Sequence, residues 1–590
     1  MRATTTFMSG LLLSAFLLLP VSMRAAELQP FFALKTSSIN TLVGVAEKFA
    51  GMAGAADRAE FREFVNTAKN VRGVNPNGII GFVAAVDDAG NIGWVLLLPV
   101  TDLRKAEVPG FPDFFDMIQP FLVPRGEGRF EINSPFGIYV AVQKQDYLTI
   151  APEGVANQIP ADPKTLFADL EKYTLGIKLD LEKVEFETLD ATLFGPALFM
   201  AMMNNPDVGE QLENMVEVFR ELYKEFATVS GGIAVNAQTA DVEVSGMVVP
   251  RKGSEFGKSL AAFKQQPTIF SGFRGTPVTT VFSLGNSGQT QPIENNAMLK
   301  TGTQQWEAIF EGFREQIEME DETGELIELA EEVAASLLKI IETDSKRGSS
   351  DSALSLNIDG TLLFAFDTAS LKEIQKLVAQ VAAFAEKKAP EEAKTLIGNS
   401  LKLGYATVEG FKVSSIKIPV IPALETVFGR PAPDDTMNDL TLSVFWAVKE
   451  GNKQAIAVAA GLDGAKTEQA FKAALEKTKT AVPVQKPLGV FSIVGLGKLL
   501  QQAVYPIAVK VVERSDQSPE RELAIFRKVI EIFTSAGNDA TITLDGNIKP
   551  DRQDVDYRVS GKFIQSVISC GKLMEEITNL YIPRPSIQDF

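Results

Sequence analysis

Along this chain, apolar and polar residues alternate in pairs of short runs, and each pair is followed by helical spacing. Between Ser230 and Phe263 the run "GIAVNA" alternates, Thr239 and Ala240 mark a polar turn, and "DVEVSGMVV" alternates again. Period two on both sides of a turn predicts an antiparallel hairpin with one buried face. Gly253 and Ser254 then lead into a predicted helix with Phe256, Leu260 and Phe263 on one side. The same pattern recurs near Gly78 in "NGIIGFVAAVDDAGNIGWVLLLPV", near Leu354 in "ALSLNIDGTLLFAFDTASLKEI", and near the end in "TITLDGNIKPDRQDVDYRVSGKF". "DDAGN" and Asp359-Gly360 carry residues that tolerate positive φ, as tight turns require.

Each hairpin is preceded by another strand and a helix. "QPFFALKTSSINTLVGVAEKF", "YTLGIKLDLEKV", "PVTTVFSLGN" and "KPLGVFSIVGLGKLLQQ" read as those leading strands. In "QLENMVEVFRELYKEF", Leu212, Met215, Phe219, Leu222, Tyr223 and Phe226 fall on one predicted helical face. The expected module is therefore β-α-β-β-α, occurring four times. The first and third copies carry an extra hairpin and helix, Gly137 to Ile159 and Leu442 to Phe471. The expected fold class is α+β: a duplicated long-plus-short pair, with mainly antiparallel sheets and helices packed on one face. Pro and Gly collect in "QIPADPKT", "FSGFRGTPV" and "TAVPVQKPLG". These breaks set expected modules at 27–165 (long), 166–275 (short), 276–482 (long) and 483–590 (short). The stretch "VIPALETVFGRPAPDDTMND" reads as a long loop inside the third.

Length agrees with several cores: 590 residues exceed what one hydrophobic core supports. The N-terminus has the layout of a secretory signal peptide over residues 1–26, with Arg2, an apolar run from Leu11 to Val21, and small residues after it. Cleavage is expected near Ala25 or Ala26, although Met23 departs from the small-residue pattern. Otherwise the segment would remain as an anchor. No later apolar run reaches membrane-spanning length, so no transmembrane segment is expected in the mature chain. The expected compartment is periplasmic or extracellular.

Charge and missing residue types narrow the chemistry. The net charge of −18 repels phosphate backbones and anionic lipid surfaces, so no nucleic-acid partner is expected. Histidine is absent, which removes imidazole bases, serine–histidine nucleophiles and histidine-ligated metals. Cys570 is the sole cysteine, so no intrachain disulfide forms; it reads as a buried, inert thiol on an apolar helix face.

The remaining motifs are weak. "GSEFGKS", Gly253 to Ser259, follows a strand and opens a helix, but is one residue short of a phosphate-binding loop. Serine–lysine pairs occur at Ser414–Lys417 and Ser569–Lys572, with Ser355–Asn357 and Lys300–Gly302 in the reverse of the penicillin-binding order. The acidic run Glu311 to Val333 places Glu318, Asp321, Glu322 and Glu325 where they could share a helix side and hold calcium weakly. A solvated helix face is the reading preferred. No catalytic, cofactor-binding or metal residue is assigned, and no cofactor is expected.

The stretches "LQPFFALKTSSINTLVGVAEKFAGMAG" and "GFVAAVDDAGNIGWVLLLPVTDL" resemble a kind of uncharacterised secreted protein of planctomycete-type bacteria. That resemblance implies export and implies no activity. The expectation is a non-catalytic binding or structural protein of the cell envelope, with an unknown envelope protein or apolar ligand as partner. A lipid carrier and a carboxylate-dependent hydrolase are the alternatives.

Overall fold

The computed structural model describes residues 29–86, 91–102, 122–126, 128–134, 137–190, 206–289, 325–388, 398–419, 441–451, 454–512 and 520–581. It is an α+β fold, with helices and extensive antiparallel sheet. Contacts divide the chain into two compact units. One is Met1–Gly257 with Asp551–Asp556, and the other is Lys258–Pro550 with Tyr557–Phe590.

The first unit is built on β1 (Gln29–Thr36), where Phe31, Ala33 and Lys35 are buried and the intervening residues are half-buried. The remaining strands are β2 (Ile80–Val86), β3 (Ile92–Leu98), β4 (Leu122–Gly126), β5 (Arg129–Ser134), β6 (Gly137–Lys144), β7 (Tyr147–Pro152), β8 (Leu175–Asp180), β9 (Phe226–Val235) and β10 (Val242–Pro250). Their order is β10-β9-β8-β1-β2-β3-β7-β6-β5-β4, antiparallel throughout. Aromatic rings cross this sheet. Phe32 and Phe82 lie 6.1 Å apart, Phe82 and Trp94 6.3 Å, and Trp94 and Tyr139 5.3 Å.

The second unit contains β11 (Lys264–Gln265), β12 (Thr280–Gln289), β13 (Ser349–Asn357), β14 (Leu362–Asp367), β15 (Lys402–Val408), β16 (Phe411–Pro419), β17 (Thr441–Lys449), β18 (Ala455–Gly461), β19 (Gly489–Ser492) and β20 (Thr541–Lys549). Their order is β20-β19-β12-β13-β14-β18-β17-β16-β15, again antiparallel, with the two-residue β11 beside one end of β12. Counted from β1 and from β12, the two orders coincide from the ninth strand inward. The first strand is flanked by the second and the eighth, the third by the seventh, and the ninth joins the eighth. A local detail coincides as well. The ladder between the first and second strands slips between Pro30 and Phe32 in one unit, and between Thr280 and Phe282 in the other. The extra residue is Phe31 or Val281, and each is 3% exposed.

Both predicted extra hairpins are present, β6–β7 and β17–β18. The Asp359-Gly360 turn has Gly360 at φ +84° and the Asp359 carboxylate accepting from the Thr361 amide at 3.0 Å. Two predicted helical positions fall elsewhere. Phe226 opens β9 directly after the helix Pro206–Glu225, and Phe263 lies just past the helix Glu255–Ala262. The turn residues Asp87 to Gly90 and the loop at 420–439 lie outside the described residues.

The core of the second unit gathers Phe270, Phe273, Phe411, Phe445 and Phe471 with alanines of β13, β14, β17 and β18. Small residues on the strands leave room for the rings. Phe471, Ala474 and Leu475 come from the helix Gly464–Glu476, whose first turn is capped by the Asp463 carboxylate accepting from the Lys466 amide at 3.1 Å. Asp463→Ala is expected to cost about 0.5–2 kcal/mol, seen as a lower urea midpoint for this unit with an unchanged slope.

Candidate functional site

The sheet face of β8, β9 and β10 is the clearest departure from ordinary burial. Register places Leu175 opposite Ile233 and Ile233 opposite Val244, so the three form one row across three strands. The next row is Ile177, Gly231 and Gly246, and the one after it is Leu179, Val229 and Val248. The last row is covered. Leu179, Val229 and Val248 pack with Phe219, Leu222 and Tyr223 of the helix Pro206–Glu225 and with Phe256. The first two rows are open: Leu175 is 43% exposed, Ile177 45%, Ile233 37% and Val244 40%. Single exposed apolar residues are ordinary; here four of them adjoin across three strands. On the opposite face, Tyr173 packs against Gly176 and Gly232 and its hydroxyl accepts from Ser245 at 3.1 Å.

Beside this face lies a buried cation. Lys35 is 4% exposed, and its Nζ donates to the carbonyls of Leu170 at 3.2 Å, Glu171 at 3.1 Å and Tyr173 at 2.8 Å. These carbonyls immediately precede β8. Burial holds the Lys35 ammonium below the ordinary lysine range, and the nearby Glu171 charge opposes that shift. In the second unit the equivalent strand position is Gly285, and the cation is Arg274. Its guanidinium donates to Gln485 O at 2.7 Å, Pro487 O at 2.8 Å and Leu488 O at 3.2 Å, just before β19. A Cβ on Gly285 would lie 2.5 Å from Arg274 Cδ, so glycine makes room for the arginine. Each cation adds a charged donor to carbonyls at the start of an inner strand, some of which also accept from elsewhere: Leu170 O from the Tyr173 amide, Tyr173 O from Ser37 Oγ and Leu488 O from the Gly285 amide. In both units the cation binds backbone carbonyls.

The motifs singled out in the sequence do not assemble into catalytic groups. At Gly253 to Ser259, the helix N-terminus is already occupied. The Phe256 amide donates to the Glu225 carboxylate at 2.8 Å and the Gly257 amide to Ser254 Oγ at 3.0 Å. A carboxylate thus sits where a phosphate-binding loop would place its ligand. Ser414 is 7% exposed, and its Oγ accepts from the Gly404 amide at 3.0 Å. Lys417 is three residues along the same strand, and side chains alternate along a strand, so the two point to opposite faces. Ser355 is 1% exposed and donates to Phe273 O at 2.8 Å. Ser569 lines an open groove of about 430 Å³ beside Ser535, Gly537, Lys562, Gln565 and Ser566, between the helices Glu520–Thr534 and Gly561–Tyr581. Cys570 is half-buried rather than buried. The inward residues near it are Ser566 and Leu573, which leaves Cys570 on the flank.

Lys300–Gly302, the acids Glu318, Asp321 and Glu322, and the cleavage positions Ala25 and Ala26 lie outside the described residues, while Glu325 opens the helix Glu325–Lys346. Among the described residues, no group of three or more Cys, Asp and Glu side chains is placed to hold a metal. No helix among them is long and apolar enough to cross a membrane.

Among the described residues the shifted carboxylates move down: Glu342 through its hydrogen bond from Lys346, Glu373 from Lys339, Asp463 from the Lys466 amide and Glu468 from Lys472. Tyr405 is pushed up to about 12, by burial and then by donating to Glu468 at 2.9 Å. These shifts hold the acids ionised and the phenol protonated. A carboxyl serving as general acid needs the reverse.

Sequence reasoning missed Lys35, Arg274 and the open rows. Lys35 did leave a signal, a lone charge two residues beyond Ala33 in an otherwise apolar run.

No protein-family model matches the chain, no curated protein is similar to it, and no solved structure matches it.

Proposed function

We propose that this is an exported, non-catalytic binding or structural protein of the cell envelope, and that its chain is a duplicated long-plus-short pair of β-α-β-β-α modules. The duplication rests on three agreements between the units: the strand order, the slipped residue at Phe31 and Val281, and the cation delivered to the carbonyls ahead of the eighth strand. The binding role rests on one observation, the open apolar rows of Leu175, Ile177, Ile233 and Val244. A rigid sheet face that holds these side chains in register loses little entropy on contact. The downward carboxylate shifts among the described residues do not favour the hydrolase.

The test compares the wild-type chain with the triple variant Ile177→Thr/Ile233→Thr/Val244→Thr. Threonine keeps the β-branched shape, so the strands should persist and stability should change by only about 1–2 kcal/mol. Both proteins are cross-linked in the native envelope, and the attached molecules are identified by mass spectrometry. The expected result is one dominant cross-linked species for the wild type, reduced at least about tenfold in the variant, equivalent to roughly 1.4 kcal/mol of binding. Equal cross-linking of both proteins would remove this face from the proposal.

A further inference from the structure

We draw no further inference here: the strongest candidate, the open apolar rows of Leu175, Ile177, Ile233 and Val244 on the sheet face of β8 to β10, belongs to the site already described, and nothing in the structure shows what covers it.

Discussion

Replacing Phe471 with alanine is expected to lower the stability of the second unit by about 3–5 kcal/mol. Phe471 is fully buried, with its ring 6.2 Å from Phe273 at 83° and 6.4 Å from Phe445. Truncation removes the transfer energy of the ring, leaves a cavity among alanines too short to fill it, and forfeits the edge-to-face contact. The helix Gly464–Glu476 would keep only Ala474 and Leu475 as large contributors to that core. Since each unit has its own hydrophobic clusters, the damage should stay local. Hydrogen exchange is the measurement of choice: amides of β17 and β18 should exchange faster by two or more orders of magnitude, while those of β2 and β3 keep their protection. Equal loss of protection in both units would mean that they unfold as one, and that the cores are not energetically separate.

The second large effect is at Lys35. Lys35→Met keeps the length of the stem and removes the ammonium, leaving the carbonyls of Leu170, Glu171 and Tyr173 without that donor. Leu170 O keeps the Tyr173 amide and Tyr173 O keeps the Ser37 hydroxyl, so the loss falls mainly on Glu171 O, and a net cost of about 1–3 kcal/mol is expected. The pH dependence has a definite sign. Burial depresses the folded-state value below the ordinary 10.5, so the unfolded chain holds this proton more tightly than the folded protein. The stability linked to Lys35 is therefore fully present above 10.5 and is lost as the pH falls through the depressed folded value. Urea midpoints of wild type and Lys35→Met, compared at neutral and alkaline pH, should diverge further at the alkaline end. A variant as stable as the wild type at both would show that this buried ammonium is not needed to hold the approach to β8.

Much of the architecture was readable because half-buried antiparallel strands write their burial directly into the sequence. β9–β10 and β13–β14 emerged from alternation plus a turn, and so did the extra hairpins β6–β7 and β17–β18. Helix ends were less legible. Phe226 and Phe263 fit the apolar face of a helix by spacing, yet each lies beyond the last helical residue: Phe226 packs edge-on against Phe256, and Phe263 lies against Gly288 of β12. Edge strands such as β4, "LVPRG", carry a proline and no alternation, and only their pairing with β5 reveals them. The open rows were invisible for a different reason. Leu175, Ile177, Ile233 and Val244 satisfy the alternation as well as any core residue. Whether a helix covers them is decided by its length and angle, which sequence periodicity does not encode. Lys35 and Arg274 illustrate a third limit: one unit supplies its cation from the strand itself, the other from a residue ahead of it, so the shared role has no shared position.

The slipped residue in the central strand means that this strand is read in two frames. Phe31 and Val281 each occupy a place that has no partner across the ladder, so residues before and after them would otherwise face the wrong way. Deleting either one would straighten the backbone while turning Gln29 and Pro30, or Thr280, to the opposite face of the sheet. Length at this point is therefore fixed more strictly than identity: one unit buries phenylalanine there and the other valine, but both keep the extra residue.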